Sequence, residues 1–156
     1  MTYRPTLDEI YILMLSIFAK RATCSRRQVA CILVDSMGRM LATGYNGVPR
    51  GFTHCTDTPC PGATDSHGDN RNCEAVHAEQ NAILQCKDLD KVFTAYCSCT
   101  PCFECAKMLA NLPALRIVRV AEEYADTRGK EILLRADIRV IDESNDIIPR
   151  EDDISY

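Results

Sequence analysis

Three residues in two separate stretches constrain this chain more than any other feature. His77 comes from His77-Ala78-Glu79, and Cys102 and Cys105 come from Thr100-Pro101-Cys102-Phe103-Glu104-Cys105. One imidazole and two thiolates form a zinc-type ligand set. Three protein ligands leave a tetrahedral ion one open position, as in catalytic rather than structural sites. The two stretches must therefore lie side by side. Cys102 and Cys105 are three residues apart and share one face at a helix start, where the helix dipole favours thiolate. Thr100 suits the N-cap and Pro101 the first helical position, where no amide donor is needed. Glu79 adds a condition. Two residues of helix turn the chain by about 200°, so Glu79 faces the same pocket as His77 only if the helix begins there.

The rest of the chain has to supply a scaffold for this meeting point. Its 156 residues suit a single domain. Roughly 70% of the unfolded surface can be buried at that length, so disulfides are not needed for stability. Ten cysteines are therefore read as metal ligands and small buried residues in a reducing cytoplasm. The start, Met1-Thr2-Tyr3-Arg4-Pro5, reads as no secretory signal. No apolar run approaches the roughly 18 residues of a membrane span. The net charge of −4, with no long basic run, argues against a nucleic-acid surface. A single nucleotide held by one or two arginines remains compatible with it.

Thr6-Leu7-Asp8-Glu9 reads as a capping box, and Leu7, Ile10, Met14, Ile17 and Phe18 recur at helical spacing, predicting a helix over 7–21. Residues 29–34 form a continuous apolar run, the pattern of a buried strand. A turn at 36–39 and a returning strand at 40–44 complete a hairpin. The segment 44–51 holds three Gly and one Pro, the composition of a strand-exit loop. Residues 52–72 are polar and irregular. Further helices are predicted at 74–87, 102–112 and 128–136, and strands at 92–98, 116–121 and 138–141. This order is α/β, with three layers, α/β/α, around a central mixed sheet of about five strands. Residues 145–156, with four acidic side chains, read as a loosely held tail.

H-x-E…P-C-x-x-C is the signature of zinc nucleobase deaminases. Over residues 29–124 the chain resembles the deoxycytidylate (dCMP) deaminases of the cytidine-deaminase superfamily. Gly44-Tyr45-Asn46-Gly47-Val48-Pro49-Arg50-Gly51 resembles the loop G-Y-N-G-x-P-x-G, the motif most specific to that family. His77-Ala78-Glu79-Gln80-Asn81-Ala82-Ile83 resembles H-A-E-x-N-A-I, and Cys99 to Lys107 resembles S/T-x-P-C-x-x-C-A-K. Gln28 to Val34 resembles the first core strand, and Val120 to Tyr124 a strand ending in a Tyr beside the pocket.

The resemblance implies a cytidine-deaminase-like fold and hydrolysis of dCMP to dUMP and ammonia. His77, Cys102 and Cys105 would hold Zn2+, which activates a water. Glu79 would carry protons to ring N3 and to the leaving amine. The Ala78 amide would bind the pyrimidine O2, Asn46 the 3′-hydroxyl and Tyr124 the sugar or phosphate end, with Thr100 also lining the substrate site. Arg26 is the candidate for the 5′-phosphate, with Arg27 in reserve. The family is commonly a homohexamer activated by dCTP and inhibited by dTTP. That places regulation, with Mg2+ on the effector, at Tyr45, Asn46, Gly47, Pro49 and Gly51. His54-Cys55 and Cys60 resemble an insertion of bacterial and phage members, which implies a second, structural zinc on Cys55, Cys60 and Cys73 completed by His67 or His54. Cys97 and Cys99 depart from the family's usual strand and read as packed thiols, as do Cys24, Cys31 and Cys86. Two alternatives stay open: another deaminase of the superfamily, acting on cytidine, deoxycytidine or tRNA adenosine, and a non-catalytic zinc module.

Overall fold

The apolar run at 29–34 forms strand β1, Ala30–Val34, buried at every residue. A computed structural model describes residues 3–66, 69 and 71–144. The acidic segment 145–156 and His67 lie outside the described residues. Along β1 the side chains alternate with the two-residue period of a strand. Cys31 and Leu33 enter one apolar cluster, and Ala30, Ile32 and Val34 enter another. A strand apolar on both faces has to be covered twice, which calls for helices on both sides of its sheet.

Gly38 takes a φ of 76° in the hairpin turn, a left-handed conformation that suits glycine. Strand β2, Met40–Tyr45, then returns antiparallel to β1. Strand β3, Thr94–Cys99, also runs antiparallel to β1, whereas β4, Ile117–Glu122, and β5, Arg139–Asp142, continue in parallel. The order is β2-β1-β3-β4-β5, a mixed five-stranded sheet as expected.

Helix α1, Leu7–Ala19, covers one face. Its capping box forms, with the Glu9 N–H donating to Thr6 Oγ1 at 3.2 Å and the Thr6 N–H to Glu9 Oε2 at 2.6 Å. Tyr11, Ile12 and Leu15 pack there on Ile32, Val34 and Tyr96. Helices α2, Ala78–Gln85, α3, Phe103–Ala110, and α4, Arg128–Arg135, cover the other face. Ala78, Ala82, Ala106, Leu109 and Leu133 meet Cys31, Leu33, Cys97 and Val118 in that layer. The result is the expected three-layer α/β/α fold.

The departures from the sequence reading fall mostly at element ends. Helix α1 stops at Ala19 rather than at 21, closing with bonds from the Lys20 and Arg21 amides to Ile17 O and Phe18 O. Helix α2 begins at Ala78 rather than at 74, because Val76 is held extended. Its N–H donates to Gly47 O at 2.8 Å, and the Gly47 N–H donates to Val76 O at 3.1 Å. Helix α3 is capped by Cys102, not by Thr100. Thr100 stays extended because its N–H donates to Glu122 O at 3.1 Å and its Oγ1 accepts from the Tyr124 N–H at 3.1 Å. β3 starts at Thr94 rather than at 92, after a 3-10 turn over Leu89–Lys91.

Candidate active site

The starts of α2 and α3 meet at one end of the sheet, beside the carboxyl ends of β3 and β4. His77 is the N-cap of α2, with extended backbone angles (φ −72°, ψ 157°), and its N–H donates to Gln80 Oε1 at 2.8 Å. Cys102 occupies the same position on α3 (φ −64°, ψ 167°). Both residues therefore stand just outside their helices, where side chains can turn across the helix ends toward each other. His77 Nδ1 lies 3.4 Å from Cys102 Sγ and 3.4 Å from Cys105 Sγ. Zinc–ligand bonds of roughly 2.3 Å to sulfur and 2.0 Å to nitrogen at a tetrahedral angle put S and N about 3.5 Å apart. The three atoms are already spaced for one ion, and among the described residues no other such group of three forms.

Glu79 satisfies the condition on the helix start. With His77 as the cap, Glu79 is the second residue of α2 and turns inward, where it is 3% exposed. Burial pushes its carboxyl pKa up, with the neighbouring Cys102 thiolate adding to the rise and His77 opposing it. The Cys102 thiol is drawn down to about 4, first by its hydrogen bond with Cys105 and then by His77, while Cys105 is pushed up in the same exchange and by burial. Both thiols sit on the positive end of α3, which favours the thiolate form a cation would take.

A cavity of about 510 Å³ opens over this group. Ligand pockets fall at about 300–1,000 Å³. Its walls bring together Asn46, Ala78, Glu79, Thr100 and Tyr124, all named from the sequence, and both arginines. Asn46 is buried, accepting from the Val29 N–H at 2.8 Å and donating to Arg27 O at 2.8 Å. Arg26 donates to Gly62 O at 3.0 Å, Asp69 O at 2.8 Å and Ser66 O at 3.1 Å, so its guanidinium ties down the cavity's outer loop. Arg27 is freer. It lies 5.0 Å over the Tyr124 ring and meets the exposed Glu122 at only 3.4 Å.

Several contributors escaped the sequence reading. Gln80, three residues after the His77 cap, follows the spacing of a capping box and was legible in principle. Asn81 Nδ2 donates to Tyr45 O at 2.8 Å, tying α2 to the 44–51 loop. A Cβ at Gly44 would stand 2.2 Å from Ala78 O and 2.4 Å from Ala82 N, so β2 and α2 touch through their backbones. Asp65, Ala63 and Cys24 also line the cavity. No local pattern marks these positions.

Tyr45 closes β2 rather than opening the loop, and Asn46, Gly47, Pro49 and Gly51 follow it in a loop joined through the Gly47–Val76 bridge to the segment before α2. The outer loop holds Cys55 and Cys60, both buried, with the Cys60 N–H donating to Cys55 Sγ at 3.3 Å and Ser25 Oγ 3.1 Å away. Burial raises the Cys55 pKa, but these hydrogen bonds outweigh it and bring the thiol to about 7. Cys73 is close enough to Cys24 and Cys60 to feel both. His54 is exposed and faces Asp57 instead. Cys97 Sγ packs 3.9 Å from Cys31 Sγ, and Cys99 lines the cavity with its thiol pushed up to about 12 by burial.

Residues 5–121 match the family described as the cytidine and deoxycytidylate deaminase zinc-binding region. The chain belongs to this family. That family is zinc-binding, and the group of His77, Cys102 and Cys105 fits a zinc ion. A deoxycytidylate deaminase of Mycobacterium phage D29 is 34% identical over 122 residues, covering 74% of this chain and 94% of that protein. A deoxycytidylate deaminase of Schizosaccharomyces pombe is 32% identical over 143 residues, 88% of this chain. The chain spans only 44% of that fungal relative's length. Among solved structures, the dCMP deaminase of cyanophage S-TIM5 in complex with dCMP and dUMP superposes with a TM-score of 0.72 and 29% identity, over 90% of this chain and 99% of that one. Among the described residues no helix is long and apolar enough to cross a membrane.

Proposed function

We propose that the chain hydrolyses dCMP to dUMP and ammonia. The observation that carries this reading is Glu79, buried beside a three-ligand zinc group on the floor of a nucleotide-sized cavity. His77, Cys102 and Cys105 hold the ion. When bound, zinc supplies a water acidic enough to attack C4 of the pyrimidine at neutral pH. Glu79 takes the water proton and passes it to ring N3, then takes the proton of the new C4 hydroxyl and delivers it to the amine, so that ammonia leaves as the C4 carbonyl forms. Its burial, which raises its pKa, suits a group that must both accept and release protons. Ala78 opens α2, where the first amides have no intrahelical partner, which supports its N–H as the donor to the pyrimidine O2. Asn46, Thr100 and Tyr124 line the sugar end of the cavity.

Arg27 is the better placed of the two phosphate candidates, since Arg26 is committed to three carbonyls of the outer loop. The test compares dCMP with deoxycytidine, which lacks the phosphate. Losing one charge-assisted hydrogen bond, Arg27→Ala is expected to lower kcat/KM for dCMP by about ten- to a hundred-fold and to leave deoxycytidine within about two-fold. A wild-type enzyme that releases ammonia no faster from dCMP than from deoxycytidine would rule out the phosphate site.

The same reading includes a homohexamer in the cytoplasm, activated by dCTP and inhibited by dTTP with Mg2+. The loop of Tyr45, Asn46, Gly47, Pro49 and Gly51 would be the regulatory element. The Gly47–Val76 bridge supports this, because it connects that loop to the residue preceding His77. It also includes a second zinc on Cys55, Cys60 and Cys73, with His67 or His54 as the fourth ligand. The lowered pKa of Cys55 and its contact with Cys60 support that site. Elemental analysis is expected to return two zinc ions per chain, falling to one in Cys60→Ser. One zinc in both proteins would remove the second site.

A further inference from the structure

Cys102 and His77 are both half-buried, and each caps its helix from outside. Cys105 is 0% exposed, whereas Cys102 remains partly open to solvent. It lies outside α3, on a turn whose preceding residue is Pro101 and has no amide to anchor it. Thr100 holds one side of that turn through Glu122 and Tyr124. The other side rests on the first turn of α4.

We propose that this first turn, Arg128 and Gly129, is a positioning brace for Cys102 and sets how firmly the zinc is held. The inference rests on the zinc reading of His77, Cys102 and Cys105. Gly129 is buried, and a Cβ there would stand 1.9 Å from Pro101 O, 3.0 Å from Pro101 C and 3.2 Å from Cys102 C. All three are backbone atoms, so no side-chain rotation relieves the clash. Any side chain at 129 must push α4 away or displace the turn that carries the Cys102 sulfur. Arg128 reaches the start of α3, just beyond that turn, from the side. Its guanidinium forks onto Asp126, at 3.0 Å through Nε and 2.7 Å through Nη2, and lies 5.5 Å from the ring of Phe103, the residue after Cys102. Contacts that orient a metal ligand matter to the metal almost as much as the ligand does. Neither residue touches the zinc or the substrate; both act through Cys102.

The test reads the metal rather than the reaction. In the holoprotein, Gly129→Ala is expected to lose zinc to a competing chelator with affinity reduced about ten-fold or more. In the cobalt-substituted protein it is expected to shift the thiolate-to-cobalt charge-transfer band. Arg128→Gln changes a side chain that is 68% exposed and does not threaten folding. It is expected to weaken zinc retention about three-fold, the scale of one exposed cation–π contact, with the apoprotein's melting point unchanged. Leu133→Ala, in the core end of α4, is the control. It is expected to lower the melting point while leaving zinc retention and the cobalt spectrum as in the wild type. Wild-type zinc retention in Arg128→Gln overturns the brace, even if Gly129→Ala does not fold. So does a Leu133→Ala protein that loses zinc as readily as Gly129→Ala. Because no substrate is involved, a failure of the proposed reaction would show separately, as absent ammonia release from a zinc-loaded wild type.

Discussion

Glu79→Gln is expected to lower dCMP deamination on the order of 10³-fold while leaving the zinc content unchanged. Glutamine keeps the shape of the buried side chain and can still hydrogen-bond, but it cannot take up a proton. The ligand atoms, His77 Nδ1 and the two sulfurs, do not include Glu79, so the metal group should remain assembled. Ammonia release and zinc stoichiometry, measured on the same preparation, separate the two effects. A Glu79→Gln enzyme with near wild-type turnover would sink the proton-transfer role. Loss of zinc alongside activity would instead place Glu79 among the groups holding the metal site together. Glu79→Asp is a useful companion, since it keeps the acid but withdraws it by one methylene.

Cys105→Ala is expected to abolish both zinc binding at this site and deamination. Cys105 is fully buried, and its sulfur is 3.4 Å from His77 Nδ1. Two remaining ligands leave an ion with mostly solvent around it, and affinity should fall by more than the roughly 10–100-fold typical of losing an outer-shell contact. The fold itself should survive, because the cluster around Leu33, Leu109, Val118 and Leu133 does not pass through the metal. Far-UV circular dichroism with zinc analysis after dialysis checks this. Cys99→Ala supplies the contrast: its thiol lines the same cavity but stands outside the group of His77, Cys102 and Cys105. Full zinc retention in Cys105→Ala, or zinc loss in Cys99→Ala, would overturn the ligand assignment.

The elements that could be read in advance share a local cause. The capping box at Thr6 and Glu9 is a contact between residues three apart, and it forms as written. The run at 29–34 is apolar on both faces, and a strand of that kind has to lie inside a sheet covered by helices. Helix starts fall at His77 and Cys102 as the site requires, but the extended stretch before α2 and the loss of the Thr100 cap are decided by long-range pairing. Val76 looked helical by composition, but its two bonds to Gly47 hold it extended and make His77 the cap. Thr100 looked like a cap, but β4 and Tyr124 claim its N–H and its hydroxyl, and the cap passes to Cys102. Arg26 and Arg27 are adjacent and chemically identical. Only the position of the 62–69 carbonyls distinguishes them, by engaging one guanidinium and leaving the other over Tyr124.

Sequence alone determined the chemistry available to this protein. It named one imidazole, two thiols and one carboxylate, at spacings that only a pair of helix starts can bring together, and it set the α/β order of the scaffold. Tertiary structure decided whether those groups face one another. A helix start is set by which amides and carbonyls find partners elsewhere, and the partners of Val76 and Thr100 lie on segments far away in the chain. Those bonds place His77 and Cys102 outside their helices, bring His77 Nδ1 within 3.4 Å of both sulfurs, and turn Glu79 inward.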